Sequence, residues 1–305
     1  MKAMRLNAWG QPLQLEEITQ PTPASDEVLV KVHAASINPF DSFISMGYLQ
    51  GFVGAPLTLG TDFAGEVVEV GSEITHVKPG DAVYGLVPMH SGSFAEYVLA
   101  KANEVAHKPQ TLSYVEAAGV PLAALAAYQS LFDLGQAQKG EWVLIIGAGG
   151  TAGSCAVQMA KELGMFVIAA SSPEKTDFVQ SLGPDQFVDR TTANYEEAVG
   201  MVDLVLDFVG GDNLQRSFVV LPAGGRYVTS LVLQTPQEEA ERRGIQTMGL
   251  ATQSNVDQLD DIVRRIDSGC LKVFINCTYS MKEAQAALEY RQQKDTPGKV
   301  VLTIP

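Results

Sequence analysis

Residues 141–161, EWVLIIGAGGTAGSCAVQMAK, combine residue types that can bind phosphate. An apolar run typical of a strand leads into closely spaced glycines, and a helix pattern follows. Glycine lets the backbone approach a phosphate closely, and the first turn of a helix presents free N–H groups and a partial positive charge. A second apolar run at 165–170 completes a strand–helix–strand unit. This context predicts a dinucleotide-binding loop rather than a glycine turn that only packs a helix against a sheet.

The glycines fit two registers of such a loop. Gly147, Gly149 and Ala152 match G-x-G-x-x-A, whereas Gly147, Gly150 and Gly153 match G-x-x-G-x-x-G. Either match is weak evidence by itself, and the spacing leaves both registers open.

The residues after the second apolar run predict which nucleotide binds. An NAD site usually has an acidic residue there for the ribose hydroxyls, but this chain has Ser171, Ser172 and Lys175. Two hydroxyls and an ammonium suit a 2′-phosphate, so we predict NADPH over NADH. Two alternatives remain open: Glu174 turns inward to bind a ribose diol, or Lys175 is a solvated charge in the first turn of a helix.

Composition limits the other classes of function. The chain has 305 residues, a net charge of −14, three cysteines and no long apolar run, which predicts a cytoplasmic protein without a membrane span. The negative charge disfavours nucleic acid as a partner.

The residue pattern of the chain changes near residue 110. Short valine-rich runs separated by Gly, Pro and Asp come first, and long helix patterns then alternate with apolar strands. Such strands are typical of a parallel sheet covered on both faces. We predict an α/β architecture in which a Rossmann domain at 118–252 interrupts a β-rich domain formed by 1–117 and 253–305.

Several motifs together resemble one family. They are ASINPFDSFISMGY, LGTDFAGEVVEVGSEITHVKPGDAVYGL, KGEWVLIIGAGGTAG, DLVLDFVGG and PGKVVLTI. In this order they resemble the zinc-free quinone oxidoreductases of the medium-chain dehydrogenase/reductase superfamily. The resemblance covers nearly the whole chain. It implies a GroES-like β-rich catalytic domain, a doubly wound parallel-sheet Rossmann domain, and a homodimer formed through the edge of the Rossmann sheet.

The resemblance also implies cofactor contacts. It favours the register in which Gly150 and Gly153 take the second and third glycine roles. The residues that it places against the pyrophosphate are Gly149, Gly150, Thr151 and Ala152. Thr151 departs from the family, which usually has glycine there. The residues that it places near other parts of the cofactor are Arg190 at the adenosine phosphate, Ser230 and Leu231 at the nicotinamide, and Lys299 from the C-terminal segment.

The zinc-dependent members of the superfamily take ligands from regions that correspond to Asn38–Asp41 and Gly60–Asp62. Neither region has a cysteine or histidine here, so we predict no zinc. Without a metal, reduction of a simple ketone is difficult, since the alkoxide's conjugate acid has a pKa of about 15.7. A reduced quinone resembles a phenol with a pKa of roughly 10. An enolate is intermediate, so quinones and α,β-unsaturated carbonyl compounds are the expected acceptors.

The segment 38–52 contains the candidate catalytic residues. We predict that Asn38 hydrogen-bonds the nicotinamide ribose or a substrate carbonyl, and that Tyr48 donates a proton or hydrogen bond to the developing oxyanion. Phe40 and Phe52 would form a flat apolar wall, or would simply belong to the core. Two other functions stay open: a zinc-free alcohol or aldehyde dehydrogenase, and an NADPH-binding redox sensor without turnover. The role of 232–245 is not predicted.

Overall fold

The structure is a computed structural model that describes residues 1–192, 194–231, 237–293 and 296–305. It divides into two compact units. The first comprises Met1–Leu122, Ser254–Gly269 and Val273–Pro305, and the second comprises Ala123–Gln253 and Cys270–Lys272. The chain therefore crosses between units after residue 122 rather than 117, and after 253 rather than 252. The short segment Cys270–Lys272, which groups with the second unit, was not predicted.

The elements follow the two residue patterns described above: mainly strands before residue 110, and helices that alternate with strands after it. The strands are β1 (Lys2–Leu6), β2 (Gln14–Glu17), β3 (Glu27–Ile37), β4 (Leu57–Thr58), β5 (Asp62–Val70), β6 (Ala82–Leu86), β7 (Tyr97–Lys101), β8 (Val105–His107), β9 (Trp142–Ile146), β10 (Phe166–Ser171), β11 (Gln186–Asp189), β12 (Leu204–Asp207), β13 (Arg226–Thr229), β14 (Gln246–Gly249), β15 (Ile275–Ser280) and β16 (Lys299–Thr303). The α-helices are α1 (Pro39–Ser45), α2 (Tyr114–Ala118), α3 (Pro121–Tyr128), α4 (Thr151–Leu163), α5 (Thr176–Ser181), α6 (Asn213–Val219), α7 (Gln237–Arg243), α8 (Val256–Asp267) and α9 (Ala284–Gln293).

The first unit is built on a sheet in the order β15-β16-β3-β5-β6-β8, with β7 also paired to β3. The long strand β3 is buried except at Glu27, Lys31 and His33, which are half-buried. The C-terminal strand β16 runs antiparallel to β3, and Val300 lies opposite Ile37. This register brings Lys299 beside Asn38, the residue that follows β3.

The second unit contains a parallel sheet in the order β11-β10-β9-β12-β13-β14. Residues Val143–Ile146 of β9 are fully buried, as expected for a strand covered on both faces. The order reverses between β9 and β12, and nucleotides bind outside the carboxyl ends of the strands at such a reversal. The predicted doubly wound Rossmann sheet is confirmed.

One predicted helix is wrong in its length. The pattern at 113–132 indicates a single helix, but the structure has α2, then Gly119 at its C-cap, and a new helix that begins at Pro121. A π-helical turn, Gln129–Leu134, follows. Proline has no N–H to donate and disfavours helical backbone at the preceding residue, so the helix ends before Pro121 although the apolar pattern continues.

The segment 232–245 includes α7, whose Glu239 forms ion pairs with Arg242 and Arg243. Residues 232–236 lie outside the described part of the chain. Across the described ranges, no helix has both the length and the apolar character needed to cross a membrane.

Candidate functional site

The glycine loop joins β9 to α4 in a tight turn. Gly147 has a φ of 86°, in the left-handed region that favours glycine, and the Gly150 N–H donates to the Gly147 carbonyl at 2.8 Å. A Cβ at Gly153 would lie 2.1 Å from that same carbonyl oxygen. Only glycine therefore allows the first turn of α4 to pack on the loop. This geometry favours the Gly147–Gly150–Gly153 register.

The loop presents free N–H groups at the start of a long helix. Gly150 is the N-cap of α4, and the Ser154 N–H makes the first helical bond, to the Gly150 carbonyl at 2.9 Å. Thr151, Ala152 and Gly153 therefore lie in the first turn, where N–H groups have no intrahelical partner. Their donors and the helix dipole fit a pyrophosphate. Thr151 is the first helical residue and is half-buried.

The predicted nucleotide-selecting residues lie against the glycine loop. Ser171, Ser172 and Lys175 are 3%, 9% and 5% exposed. A Cβ at Gly149 would lie 2.5 Å from Lys175 Cδ and 2.6 Å from Ser171 Oγ, so the lysine side chain runs alongside the loop. Glu174 is exposed. Lys175 is therefore not a solvated lysine on the surface of a helix.

Three further predicted cofactor residues follow strands at the same edge of the sheet. Arg190 comes directly after β11, is half-buried, and its backbone N–H donates to the Ser171 carbonyl at 3.0 Å. Ser230 comes after β13, and its N–H donates to the Asp207 carbonyl at 3.1 Å. The Leu231 N–H donates to Thr229 Oγ1 at 3.1 Å. These bonds bring the three backbones to the edge of the sheet where the glycine loop lies.

Asp207, at the end of β12, was missed by the sequence reasoning. Its Oδ1 accepts the N–H groups of Val209 and Gly210, each at 2.8 Å, and its Oδ2 accepts the Tyr227 hydroxyl at 2.8 Å. Burial and the Asp207 carboxylate raise the pKa of Tyr227 well above its usual value. A Cβ at Gly147 would lie 2.9 Å from Val209 Cγ2, so Asp207 holds a loop that packs directly on the glycine turn. A carboxylate that ends the apolar run VDLVLD is the signal that could have identified it.

The first unit contains a buried polar network around Lys299. The Lys299 Nζ donates to Asp62 Oδ2 at 3.0 Å, to Ser36 Oγ at 3.1 Å and to Asn38 Oδ1. Asp62 is fully buried, and it also accepts the Ser36 hydroxyl at 2.6 Å and the Leu122 N–H at 2.8 Å. Each charge is thus paired and hydrogen-bonded, as burial requires. The sequence analysis predicts Lys299 as a cofactor contact and does not predict its pairing with Asp62.

Asn38 is only 2% exposed, and both ends of its amide are engaged in this network. Its Nδ2 donates to Asp62 Oδ2 at 3.0 Å and to Thr61 Oγ1 at 3.4 Å, while its Oδ1 accepts from Lys299. The amide orientation is therefore set by a cation on one side and an anion on the other. Within the first unit Asn38 thus connects Lys299 with Asp62 and Thr61.

Asp41 is a second buried carboxyl beside Asn38. Its Oδ2 accepts the Asn38 N–H at 2.7 Å and its Oδ1 accepts the Gly60 N–H at 3.2 Å. Burial is the main cause that raises its pKa to about 7, and the charge of Asp62 adds to the rise. The two N–H donors and Lys299 oppose the shift. Asp41 thus joins the start of α1 to the segment before β5.

Tyr48 lies apart from this network. Its side chain is 72% exposed and meets the Phe43 ring edge-on, with ring centroids 6.0 Å apart. The structure records no hydrogen bond between Tyr48 and Asn38. Phe52 is 82% exposed, whereas Phe40 is half-buried and packs against the core of the first unit. The structure therefore does not group Phe40 and Phe52 into one wall.

The residues at the positions of the zinc ligands do not fit zinc. Asn38 and Thr61 are hydrogen-bonded to each other there, and the Lys299 ammonium lies against Asn38. An ammonium repels a divalent cation, and neither an amide nor a hydroxyl is a typical zinc ligand. Among the described residues, no three or more His, Cys, Asp or Glu side chains converge as a metal site.

Comparisons with known proteins show the family to which the chain belongs. A model of the alcohol dehydrogenase GroES-like domain matches residues 24–110, and a model described as zinc-binding dehydrogenase matches residues 182–302. The human mitochondrial NAD(P)H oxidoreductase RTN4IP1 is 31% identical over 92% of this chain and 82% of its own. The 2-methylene-furan-3-one reductase of Solanum lycopersicum is 33% identical over 99% of this chain and 79% of its own. The structure of the quinone oxidoreductase from Coxiella burnetii superposes with a TM-score of 0.92 at 31% identity and covers 100% of this chain and 99% of the other.

These relatives support oxidoreductase activity with a nicotinamide cofactor. The GroES-like domain model matches part of the first unit, and the structural match extends over the whole chain. The chain belongs to the medium-chain dehydrogenase/reductase superfamily, in its quinone oxidoreductase-like branch.

Proposed function

We propose that this protein is an NADPH-dependent reductase of quinones or α,β-unsaturated carbonyl compounds that works without zinc. The observation that carries the proposal is the position of Lys175, which is buried alongside Gly149 and Ser171. An ammonium and two hydroxyls at this edge offer a 2′-phosphate one positive charge and several donors. The carboxylate that would compete for a ribose diol, Glu174, is exposed.

The residues of the second unit would hold the dinucleotide. The N–H groups of Thr151, Ala152 and Gly153 would bind the pyrophosphate at the start of α4. Lys175 and the two serines would bind the 2′-phosphate, and Arg190 would lie near the adenosine phosphate. Ser230 and Leu231 would line the nicotinamide. When bound, NADPH supplies a hydride.

The acceptor class follows from the chemistry that the first unit offers. Asn38, Thr61 and the Lys299 ammonium do not fit a zinc ion, so we propose that no Lewis acid stabilises the developing negative charge on the product. Quinones and conjugated carbonyl compounds give delocalised oxyanions that need less stabilisation than an alkoxide. Two relatives are named a quinone oxidoreductase and a reductase of a methylene-furanone, which supports these two acceptor types. We propose Tyr48 as the proton donor to the developing oxyanion. Asn38 is proposed to hydrogen-bond the nicotinamide ribose or a substrate carbonyl.

Nucleotide binding by the whole chain tests the proposal. We expect wild type to bind NADPH more tightly than NADH, and Lys175→Met to weaken NADPH binding about tenfold or more, since a charge-assisted bond is lost. NADH binding should be nearly unchanged. The matched control is Lys272→Met, since Lys272 is exposed and bonds Gln158 only through its backbone. Equal losses for both nucleotides would contradict the proposed role of Lys175.

Turnover is tested separately, as NADPH oxidation with a benzoquinone, an enone and a simple ketone. We expect the first two to be reduced and the ketone to react far more slowly. Equal rates with the ketone would indicate an alcohol or aldehyde dehydrogenase. Tight NADPH binding with no acceptor reduced would indicate a redox sensor instead.

We also propose a homodimer formed through the edge strand β14, and a cytoplasmic location. The position of β14 at an edge of the described sheet supports the dimer, and three cysteines that form no disulfide among the described residues support the location. Light scattering measures the oligomeric state, and added charge on β14 should shift the dimer to monomer.

A further inference from the structure

A cavity of about 540 Å³ lies within the first unit, formed entirely by residues from Met1 to Gly92. This volume lies in the range of small-molecule sites. One part of its lining is polar and contains Arg5, Thr58, His90 and Ser91. Apolar side chains, among them Leu57 and Phe52, form another part. No aspartate or glutamate is among the described residues that line it.

Arg5 supplies the guanidinium group of this cavity. It lies opposite Thr58 in the β1–β4 pairing, and its Nη1 donates to Thr58 Oγ1 at 3.0 Å. Within the described residues Arg5 forms no ion pair, and its buried Nε has no hydrogen-bond partner. Its Nη1 and Nη2 groups thus keep three N–H donors without a protein acceptor in the described part of the chain. The chain has 35 acidic residues against 21 basic ones, so a guanidinium without a carboxylate is an exception here.

The turn that contains His90 and Ser91 packs closely on β4 because the next residue is Gly92. Gly92 has a φ of 73°, and a Cβ there would lie 2.5 Å from Thr58 Cβ and 2.6 Å from the Thr58 carbonyl oxygen. Only glycine allows this approach. The close contact fixes the hydroxyl and imidazole groups of the turn beside the strand residue that Arg5 bonds.

We propose that this cavity binds an organic carboxylate with an apolar body, whose carboxylate pairs with Arg5. The planar guanidinium matches the two oxygens of a carboxylate, and the hydroxyls of Thr58 and Ser91 supply further donors. The apolar walls exclude a fully hydrated inorganic ion as the best fit. Because the net charge of −14 repels an anion in general, a carboxylate needs a local cation such as Arg5. The cavity shares no lining residue with the proposed nucleotide site of the second unit.

Calorimetric titration of the whole chain with decanoate and with 1-decanol tests the proposal, because the two ligands share an apolar body and differ in charge. We expect wild type to bind decanoate more tightly than decanol. Arg5→Met should weaken decanoate binding about tenfold or more and leave decanol binding unchanged, since a charge-assisted pair is lost. The decanoate affinity of Arg5→Lys should lie between those of wild type and Arg5→Met, because lysine keeps the positive charge but lacks the planar pair of guanidinium donors. Lys2→Met is the control, since Lys2 is an exposed cation on the same strand.

NADPH binding by each variant checks that the chain is folded. Equal affinity of wild type for decanoate and decanol would overturn the proposal, as would decanoate binding that survives in Arg5→Met. Displacement of decanoate by inorganic phosphate at equal concentration would identify a general anion site and overturn the ligand class. Absence of decanoate binding to wild type would overturn the site itself.

Discussion

Lys299 Nζ lies 3.0 Å from Asp62 Oδ2, and the two side chains are 3% and 0% exposed. A buried ion pair stabilises a fold only modestly, but removal of one partner leaves an uncompensated charge in the interior. Because Lys299 also bonds Asn38 and Ser36, the pair determines how a polar network is arranged in an otherwise apolar unit.

We expect Asp62→Asn and Lys299→Met each to lower the free energy of unfolding by about 3–5 kcal/mol, measured by urea denaturation. The double variant should be more stable than either single one, because neither charge is then buried alone. Lys101→Met is the control, since its pair with Asp26 is exposed and 3.5 Å long, and should cost less than about 1 kcal/mol. Single variants as stable as this control would show that the buried pair is not coupled.

Asp41 predicts a pH dependence of stability. Its pKa in the folded protein is raised to about 7, so the folded state holds this proton more tightly than the unfolded chain does. The contribution of Asp41 to stability is therefore present at low pH and falls as the pH rises from about 4 to about 7. Asp62 and Lys299 are the charged groups that act on it, in opposite directions.

Asp41→Asn should remove this part of the pH dependence, because asparagine keeps the size and does not ionise. We expect the difference in unfolding free energy between the variant and wild type to shift in favour of the variant as the pH rises from 5 to 8. Asp26→Asn, at an exposed carboxylate, provides the comparison. A difference that stays constant with pH would show that Asp41 keeps an ordinary pKa.

The glycine loop predicts a graded effect of added methyl groups. A Cβ at Gly153 would lie 2.1 Å from the Gly147 carbonyl oxygen, whereas a Cβ at Gly150 would lie 3.2 Å from it. Gly153→Ala should therefore lower stability by about 1–3 kcal/mol and weaken nucleotide binding, while Gly150→Ala should be tolerated better. Gly51→Ala, where a Cβ would meet nothing within 4 Å, should leave both properties unchanged. Thermal unfolding with and without NADPH measures both, and equal effects at 150 and 153 would contradict the tighter contact of residue 153 with the Gly147 carbonyl.

Features that depend on residues close together in the sequence could be predicted. The apolar strands, the glycine loop and the position of Ser171 and Lys175 all lie within one strand–helix–strand unit, where the residue pattern determines the geometry. The helix at 113–132 was predicted as continuous because its apolar pattern continues past Pro121, although a proline ends the run of backbone hydrogen bonds there.

The buried network could not be predicted, because its members are far apart in the sequence. Asp62 and Lys299 are 237 residues apart, and the pairing of β3 with both β5 and β16 brings them together. Asp41 reads in the sequence as an ordinary residue in the first turn of a helix, and its burial depends on packing that no local pattern encodes. Asn38 was identified by its type, but its engagement by Lys299 follows from the tertiary fold alone.

Tyr48, the candidate proton donor, is exposed. If it acts as the donor, the effect of its removal on turnover should depend on which acceptor is reduced. A proton donor matters more for an enolate than for a quinone product, whose phenolate has a pKa of roughly 10 and is protonated by water. We therefore expect Tyr48→Phe to lower turnover with an enone tenfold or more, and turnover with a benzoquinone less than tenfold. Phe43→Leu is the matched control, because it removes the ring that contacts Tyr48 and leaves the hydroxyl in place. A loss below tenfold with both acceptors would exclude Tyr48 as the donor, and an equal loss in Phe43→Leu would assign the effect to the packing of the loop.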